Sequence, residues 1–202
     1  MNLSENIHNA FSVVFKTFEA TQNLIEKCKC EYDKEQYYMP TEKFLRYHTD
    51  SEWQGWIYWS IILLYQRKED GIKLDNGWID GPVYAVEINF DAEIYQAPLL
   101  NVARFEFSDM EKRVKNCSPN KHDIFNKIMY EAVEGIEKEK IDDTHYKYTV
   151  CENVEDIEES YWGFKSAIVE QYKLVDITAD NYKEKIFGSI ENLHNRAMDG
   201  II

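Results

Sequence analysis

The sequence predicts an α+β fold, with one antiparallel β-sheet flanked by a long N-terminal helix, a middle helix and a C-terminal helix. Three observations lead to this prediction. Apolar residues recur every three or four positions near both chain ends, apolar and polar residues alternate in the central part, and turn-forming residues separate the alternating stretches. The 202 residues fit a single domain over 1–202, and a hydrophobic content of 44% provides for a core and argues against disorder.

The first predicted element is a helix over residues 4–31, about 40 Å long at 1.5 Å per residue. Ser4 is the expected N-cap, because Ser favours that position. A helix laid across the core explains its apolar stripe, and a helix that pairs with a partner or a second copy, giving a homo-oligomer, is the alternative. The stripe repeats at steps of four and three residues and consists of Ile7, Phe11, Val14, Phe18, Thr21, Ile25 and Cys28.

Residues 51–71 fit either a helix or a buried strand. A capping box at residues 51–54 and Gly71 would begin and end a helix. Residues 56–65 are instead crowded with aromatic and β-branched side chains and are apolar on both alternating faces, which is typical of a central strand. Propensity and run length favour the strand.

Two strands with alternating side chains are predicted next, at residues 83–90 and 99–107. A turn-rich stretch that contains Asn76-Gly77 and Gly81-Pro82 precedes them. The loop at 91–98 joins the two strands, and the pattern therefore predicts an antiparallel hairpin or meander.

The second half of the chain adds helices and strands in turn. Pro119 is expected to open the middle helix, which buries Ile124, Phe125, Ile128, Met129, Ala132 and Val133. A half-buried strand over 145–150, a short helix over 154–161 and a strand over 166–177 follow. Asp180 is expected to cap the last helix. The buried stripe of that helix consists of Tyr182, Ile186, Ile190, Leu193 and Ala197.

Several chemistries lack their usual sequence signals. The chain has no G-x-G-x-x-G or G-x-x-x-x-G-K-[ST] phosphate loop, no G-x-S-x-G nucleophile turn and no pair of histidines spaced for a shared metal. The acids at residues 70–80 do not match the spacing of a calcium loop, and turn chemistry explains them. We therefore predict no metal and no cofactor, and we assign no catalytic residue.

Cysteine usage and hydropathy predict the compartment. Cys28, Cys30, Cys117 and Cys151 lack zinc spacing and are expected to be reduced thiols. The N-terminus lacks the basic start and apolar core of a signal peptide, and the longest apolar run is about half of the ~20 residues that span a bilayer. These features predict a cytoplasmic protein without membrane association. A net charge of −14 disfavours direct binding to nucleic acid.

Strand and loop carboxylates form the enzyme hypothesis, a metal-dependent hydrolase or phosphodiesterase that uses Glu87, Asp91, Glu93 and Glu106. If Phe90 pairs with Leu99, Glu87 lies opposite Val102 and Glu106 opposite Val83, about 13 Å apart along the strands. The same register places Arg104 diagonal to Glu87, so that an ion pair between them is the favoured interpretation. A small-molecule-binding domain, with an aromatic pocket formed by residues 53–59 and Trp78, is a further alternative.

Acidic residues are concentrated in one part of the chain. Residues 131–159 hold eleven acids and three lysines, a net charge of −8 out of −14. Acids near 131–139 would lie at a helix C-terminus, where the helix dipole disfavours them. A solvated face explains them, and a surface for a basic protein partner is the alternative. We predict an acidic binding protein or inhibitor of the immunity-protein, antitoxin or nucleic-acid-mimic kind. Its predicted contact residues are Glu134, Glu137, Glu139, Asp142, Asp143, Glu155, Glu158 and Glu159.

Overall fold

The computed structural model describes residues 2–46, 58–90, 97–108, 110–111, 125, 128–129, 134–151, 161 and 163–198. It combines helices with an antiparallel sheet, as predicted. The chain divides into two units, Met1–Lys34 and Glu35–Ile202, each described by itself below. The single domain predicted for 1–202 stays a prediction.

The first unit consists mainly of helix α1, Leu3–Cys30. The long N-terminal helix is thus confirmed, although its N-cap is Asn2 and not Ser4: the Asn2 side chain accepts a hydrogen bond of 2.8 Å from the backbone N–H of Glu5.

The described cysteines are thiols. Burial raises the pKa of the Cys28 thiol to about 12, so it is protonated at neutral pH. Cys28, Cys30 and Cys151 are free thiols, and Cys117 lies outside the described residues.

In the described residues of the second unit, eight strands form one sheet with the order β1-β3-β4-β5-β8-β7-β6, in which β2 also pairs with β3. Every pairing is antiparallel. The strands are β1 Tyr37–Tyr38, β2 Leu45–Arg46, β3 Ser60–Arg67, β4 Val83–Asn89, β5 Leu99–Phe107, β6 Ile136–Lys140, β7 His145–Val150 and β8 Phe164–Lys173.

The strand interpretation of residues 56–65 is confirmed for β3, which is buried along its whole length. The predicted hairpin of β4 and β5 is confirmed as well. Before it, the Asn76-Gly77 reversal lets Leu74 N–H bond Trp78 O at 2.7 Å, with Gly77 at a φ of 92° that favours glycine. The strand predicted at 166–177 begins at Phe164 and gives way to a 3₁₀ turn at Leu174–Asp176.

The C-terminal helix begins with a π-helical turn, Glu184–Gly188, and continues as helix α2, Ser189–Met198. Its predicted stripe is confirmed at Tyr182, Ile186, Ile190 and Leu193, which are all buried.

Two helices are defined in the described part of the chain, where three were predicted. Most of the predicted middle helix and the whole short helix before Tyr161 lie outside the described residues. Phe125, Ile128 and Met129 of the former are buried.

The pleat gives the central strands two distinct faces. Val83, Ala85 and Glu87 of β4 share the core face with Phe105 of β5, and Phe125 packs against it. Tyr84, Val86 and Ile88 lie on the opposite face, the helix face, which α2 covers. The core face is apolar at one end of β4 and β5 and polar at the other, where Ser60, Glu87, Asn89 and Asn101 are buried.

Candidate functional site

Strand β6 stands last in the strand order of the sheet. Gly135, at a φ of 85°, turns the chain into the strand. Residues 137–140 are exposed, and Ile136 is half-buried. Since successive side chains of a strand point to opposite faces, β6 is exposed on both faces of the sheet. A strand in this position is accessible to another protein.

The pleat separates the charges of β6 by sign. Glu137 and Glu139 point to one face, about 7 Å apart at ~3.4 Å per residue, and Lys138 points to the other. The Lys138 ammonium lies over the rings of Tyr146 and Tyr148 of β7, at 4.6 and 5.4 Å from their centroids. One face of the strand is therefore acidic, and on the other face the ammonium group of Lys138 lies on aromatic rings.

In the described part of the chain, β6 has a neighbouring strand on its β7 side only. In an antiparallel pair, the residues that bond the neighbouring strand alternate along the chain. Cys151 N–H donates to Gly135 O at 2.8 Å, and Ile141 N–H donates to His145 O at 2.9 Å, so the odd-numbered residues of β6 bond to β7. The N–H and C=O groups that point away from β7 belong to Ile136, Lys138 and Lys140.

The turn between β6 and β7 is organised by Asp142. Its Oδ1 accepts hydrogen bonds from the backbone N–H groups of Thr144 and His145, each at 2.9 Å, and lies 2.9 Å from His145 Nδ1. These hydrogen bonds hold the pKa of Asp142 well below its usual range, and the bond from the Thr144 N–H contributes most. Asp143 accepts from Lys140 Nζ at 3.0 Å. The acids of the turn thus help to shape the hairpin.

The structure places five of the eight predicted contact residues on this hairpin or in the turn that leads into it, and all five are exposed. They are Glu134, Glu137, Glu139, Asp142 and Asp143. Glu155, Glu158 and Glu159 lie outside the described residues. The interpretation of Glu137 and Glu139 as helix C-terminal acids was wrong, because they belong to strand β6.

Asp142 gives a pH prediction. Its folded-state pKa is lowered, so its contribution to stability is present above the unfolded pKa, about 3.9, and is lost as the pH falls through the folded pKa. We expect Asp142→Asn to be less stable than the wild type at pH 7. Urea denaturation should show this difference shrinking steadily between about pH 5 and pH 2. Asp143→Asn is the control, and an equal difference at pH 7 and pH 2 for Asp142→Asn would contradict the assignment.

A second polar group lies at the polar end of the core face. Glu87 is fully buried there. Its carboxylate accepts hydrogen bonds from Ser60 Oγ at 2.6 Å and from Asn101 Nδ2 at 3.0 Å. Gln171 Nε2 in turn donates to Asn101 Oδ1 at 3.0 Å. The network therefore links four adjacent strands, β3, β4, β5 and β8.

The predicted register of this hairpin was wrong by one residue. Asn89 pairs with Leu99, and Glu87 therefore pairs with Asn101 and not with Val102. Arg104 consequently lies on the helix face, where it forms an ion pair of 2.5 Å with Glu106, and the expected Glu87–Arg104 pair does not form. Glu87 and Glu106 point to opposite faces, too far apart to bind one metal.

The other carboxylates of the enzyme hypothesis, Asp91 and Glu93, lie outside the described residues. In the described ranges, no group of three His, Cys, Asp or Glu side chains is arranged to hold a metal ion. No helix in the described ranges is both long and apolar enough to cross a membrane.

Comparison with protein-family models, curated proteins and solved structures finds no match to this chain.

Sequence reasoning missed a polar cluster on the helix face. His194 Nδ1 of α2 lies 3.3 Å from Asp70 Oδ1, and the Tyr84 hydroxyl donates to Asp70 Oδ2 at 3.1 Å. Burial, and then the Asp70 charge, raise the pKa of Tyr84, which stays protonated. Tyr84 and His194 are 110 residues apart in the chain, so no local spacing could signal the contact. The cluster attaches α2 to the sheet.

Trp78, which the sequence predicts to line an aromatic pocket, is instead part of the core. It is 1% exposed and belongs to the same cluster as Phe105 and Phe125. Trp59 is half-buried, and Trp53 and Trp56 lie outside the described residues. Trp78 is therefore not available to line an open pocket.

Proposed function

We propose that this chain is a protein-binding domain that docks on a basic partner through β6 and the β6–β7 turn. The observation that carries the proposal is the position of β6, which is last in the strand order, exposed on both faces and has outward-pointing backbone groups. An extended segment can add to such a strand by backbone hydrogen bonds, with alternate side chains giving specificity. A basic partner whose groove is filled in this way would be inhibited.

The charges of β6 select the partner strand. Glu137 and Glu139 favour a segment with Lys or Arg at alternate positions on the same face. Charged edge strands also discourage pairing with apolar strands, which protects the free protein from aggregation. The whole chain carries −14, so a basic partner is attracted at long range as well.

A labelled decapeptide of alternating lysine and valine tests this docking surface. We expect fluorescence polarisation to show binding that weakens as the salt concentration rises from about 0.01 to 0.15 M. In Glu137→Gln/Glu139→Gln, the affinity should fall about three- to tenfold, because two exposed ion pairs are lost.

Two controls separate strand addition from general attraction. Glu35→Gln/Glu42→Gln makes the same change in net charge at exposed acids next to β1 and β2, at the opposite end of the strand order from β6, and should leave the affinity unchanged. A decapeptide N-methylated at alternate residues cannot bond the β6 backbone and should bind poorly. Equal losses in both variants, or unimpaired binding of the N-methylated peptide, would overturn the proposal.

A further inference from the structure

Helix α1 carries one apolar stripe that changes from exposed to buried along its length. Thr21, Ile25 and Cys28 are buried. The same stripe continues toward the N-terminus through Phe11, which is 60% exposed, and Ile7, which is 49% exposed. Two large apolar side chains flank it, Leu3 and Phe15, at 75% and 71% exposure. An exposed Phe is common singly, but a continuous apolar stripe on one helix indicates a contact surface.

The exposed half of the stripe is also free of formal charge. Glu5 and Lys16 lie on the other sides of the helix, and only His8 borders the stripe among the titratable groups of residues 3–18. Leu3, Ile7, Phe11, Val14 and Phe15 together expose about 600 Å², taking ~150–250 Å² for each aromatic side chain and somewhat less for the others. This area is at the upper limit of apolar patches on monomeric proteins.

We propose that residues 3–18 of α1 pair with the same residues of a second copy of this chain in an antiparallel arrangement. Steps of four and three residues are the spacing that knobs-into-holes packing between two helices requires. Two copies would hide about 1,200 Å², which is the lower limit of stable interfaces. Residues 3–18 carry an acid near their start, Glu5, and a base near their end, Lys16, so an antiparallel pair sets opposite charges at the same level, whereas a parallel pair would set like charges there.

A second copy of the chain fits this surface better than an anionic membrane or the basic partner of β6. The polar sides of residues 3–18 carry Lys16 as their one lysine or arginine, so an anionic membrane is not attracted. The basic partner proposed for β6 is not attracted either, because the exposed part of this stripe contains no acidic residues.

Sedimentation velocity of the full chain over a range of concentrations tests the pairing. We expect a monomer–dimer equilibrium that Phe11→Glu weakens at least about tenfold, because a charge would be buried at the interface. Val13→Glu is the matched control: Val13 is 64% exposed on the opposite side of the same helix, and this variant should dimerise as the wild type does. Circular dichroism should show that both variants keep the helix.

The orientation is tested with a spin label on Cys30, in a chain that retains this exposed cysteine as its sole thiol. The antiparallel pair places the two labels about 50–60 Å apart, from the rise of 1.5 Å per residue, and a parallel pair would place them within about 20 Å. A short distance would overturn the antiparallel arrangement. A wild type that stays monomeric up to about 1 mM, equal losses in Phe11→Glu and Val13→Glu, or capture by anionic vesicles without dimerisation would overturn the whole inference.

The salt dependence keeps this inference separate from the docking function. Two chains of −14 repel each other, so dimerisation should strengthen as salt rises, whereas peptide docking at β6 weakens. Glu137→Gln/Glu139→Gln should leave the dimer intact, and Phe11→Glu should leave peptide binding intact.

Discussion

Replacing Glu87 by alanine is expected to destabilise the second unit by about 2–4 kcal/mol. The carboxylate is fully buried and is the acceptor for Ser60 Oγ and Asn101 Nδ2. Its removal leaves these two donors without that acceptor in a region where each buried, unsatisfied group costs about 1–3 kcal/mol. Asn101 also accepts a hydrogen bond from Gln171. The loss of Glu87 should therefore loosen the alignment of the other side chains in the network.

Two variants check the interpretation of Glu87 by urea denaturation at pH 7. Glu87→Gln keeps the shape of the side chain and one acceptor oxygen, so it should cost less than Glu87→Ala. Glu139→Ala removes an exposed strand glutamate and should change the free energy of unfolding by no more than about 0.5 kcal/mol. If Glu87→Ala costs as little as Glu139→Ala, the buried hydrogen bonds do not stabilise the sheet.

The elements that the sequence predicted well are those in which one side is apolar and the other polar. Ile186, Ile190 and Leu193 recur at helical spacing on the C-terminal helix, and all three are buried. The stripe of α1 predicted a helix correctly over nearly its whole length. Periodicity does not show whether a stripe is covered, and for this reason the exposure of Phe11 could not be predicted.

The register of β4 and β5 could not be predicted, because β4 is buried on both faces. Alternation fixes register only where one face is polar and a slip would expose the apolar side. With both faces apolar, Glu87 opposite Asn101 and Glu87 opposite Val102 are equally consistent with the pattern. The sequence therefore did not predict the buried hydrogen-bond network of Glu87, and Glu87 was paired wrongly with Arg104.

Strand β6 was missed for the opposite reason. Its residues Ile136–Lys140 alternate between Glu and Lys after the first position, so both faces are charged and no period-two apolar pattern exists. Gly135, with its positive φ, was the available signal that the chain reverses there. The acidic residues were recognised by counting, but their position on a strand required the structure.

The largest loss of stability is expected for Phe105→Ala, at about 3–5 kcal/mol. Phe105 is fully buried at the apolar end of the core face. Its ring lies 5.1 Å from that of Phe125, edge to face, 6.0 Å from that of Phe164 and 6.2 Å from that of Phe107, nearly parallel. The alanine variant loses these ring contacts and leaves a cavity that three large neighbours cannot fill without moving.

Thermal and urea denaturation of three variants measures this effect. Phe105→Leu keeps most of the volume and should cost clearly less than Phe105→Ala. Val175→Ala, at a side chain that is 75% exposed, should stay within about 0.5 kcal/mol of the wild type. A loss below about 1 kcal/mol for Phe105→Ala would show that the aromatic cluster is loosely packed.

The two ends of the core face are expected to act independently. Glu87 pairs with Asn101, four positions along β5 from Phe105, a separation of about 13 Å. Sites more than about 7–10 Å apart without shared partners have additive effects, usually within about 0.5 kcal/mol. Glu87→Gln/Phe105→Leu, which combines the two milder changes so that the protein stays folded, should therefore lose the sum of the single losses. A double variant that departs from this sum by more than about 1 kcal/mol would show that the polar network and the aromatic cluster form one cooperative unit.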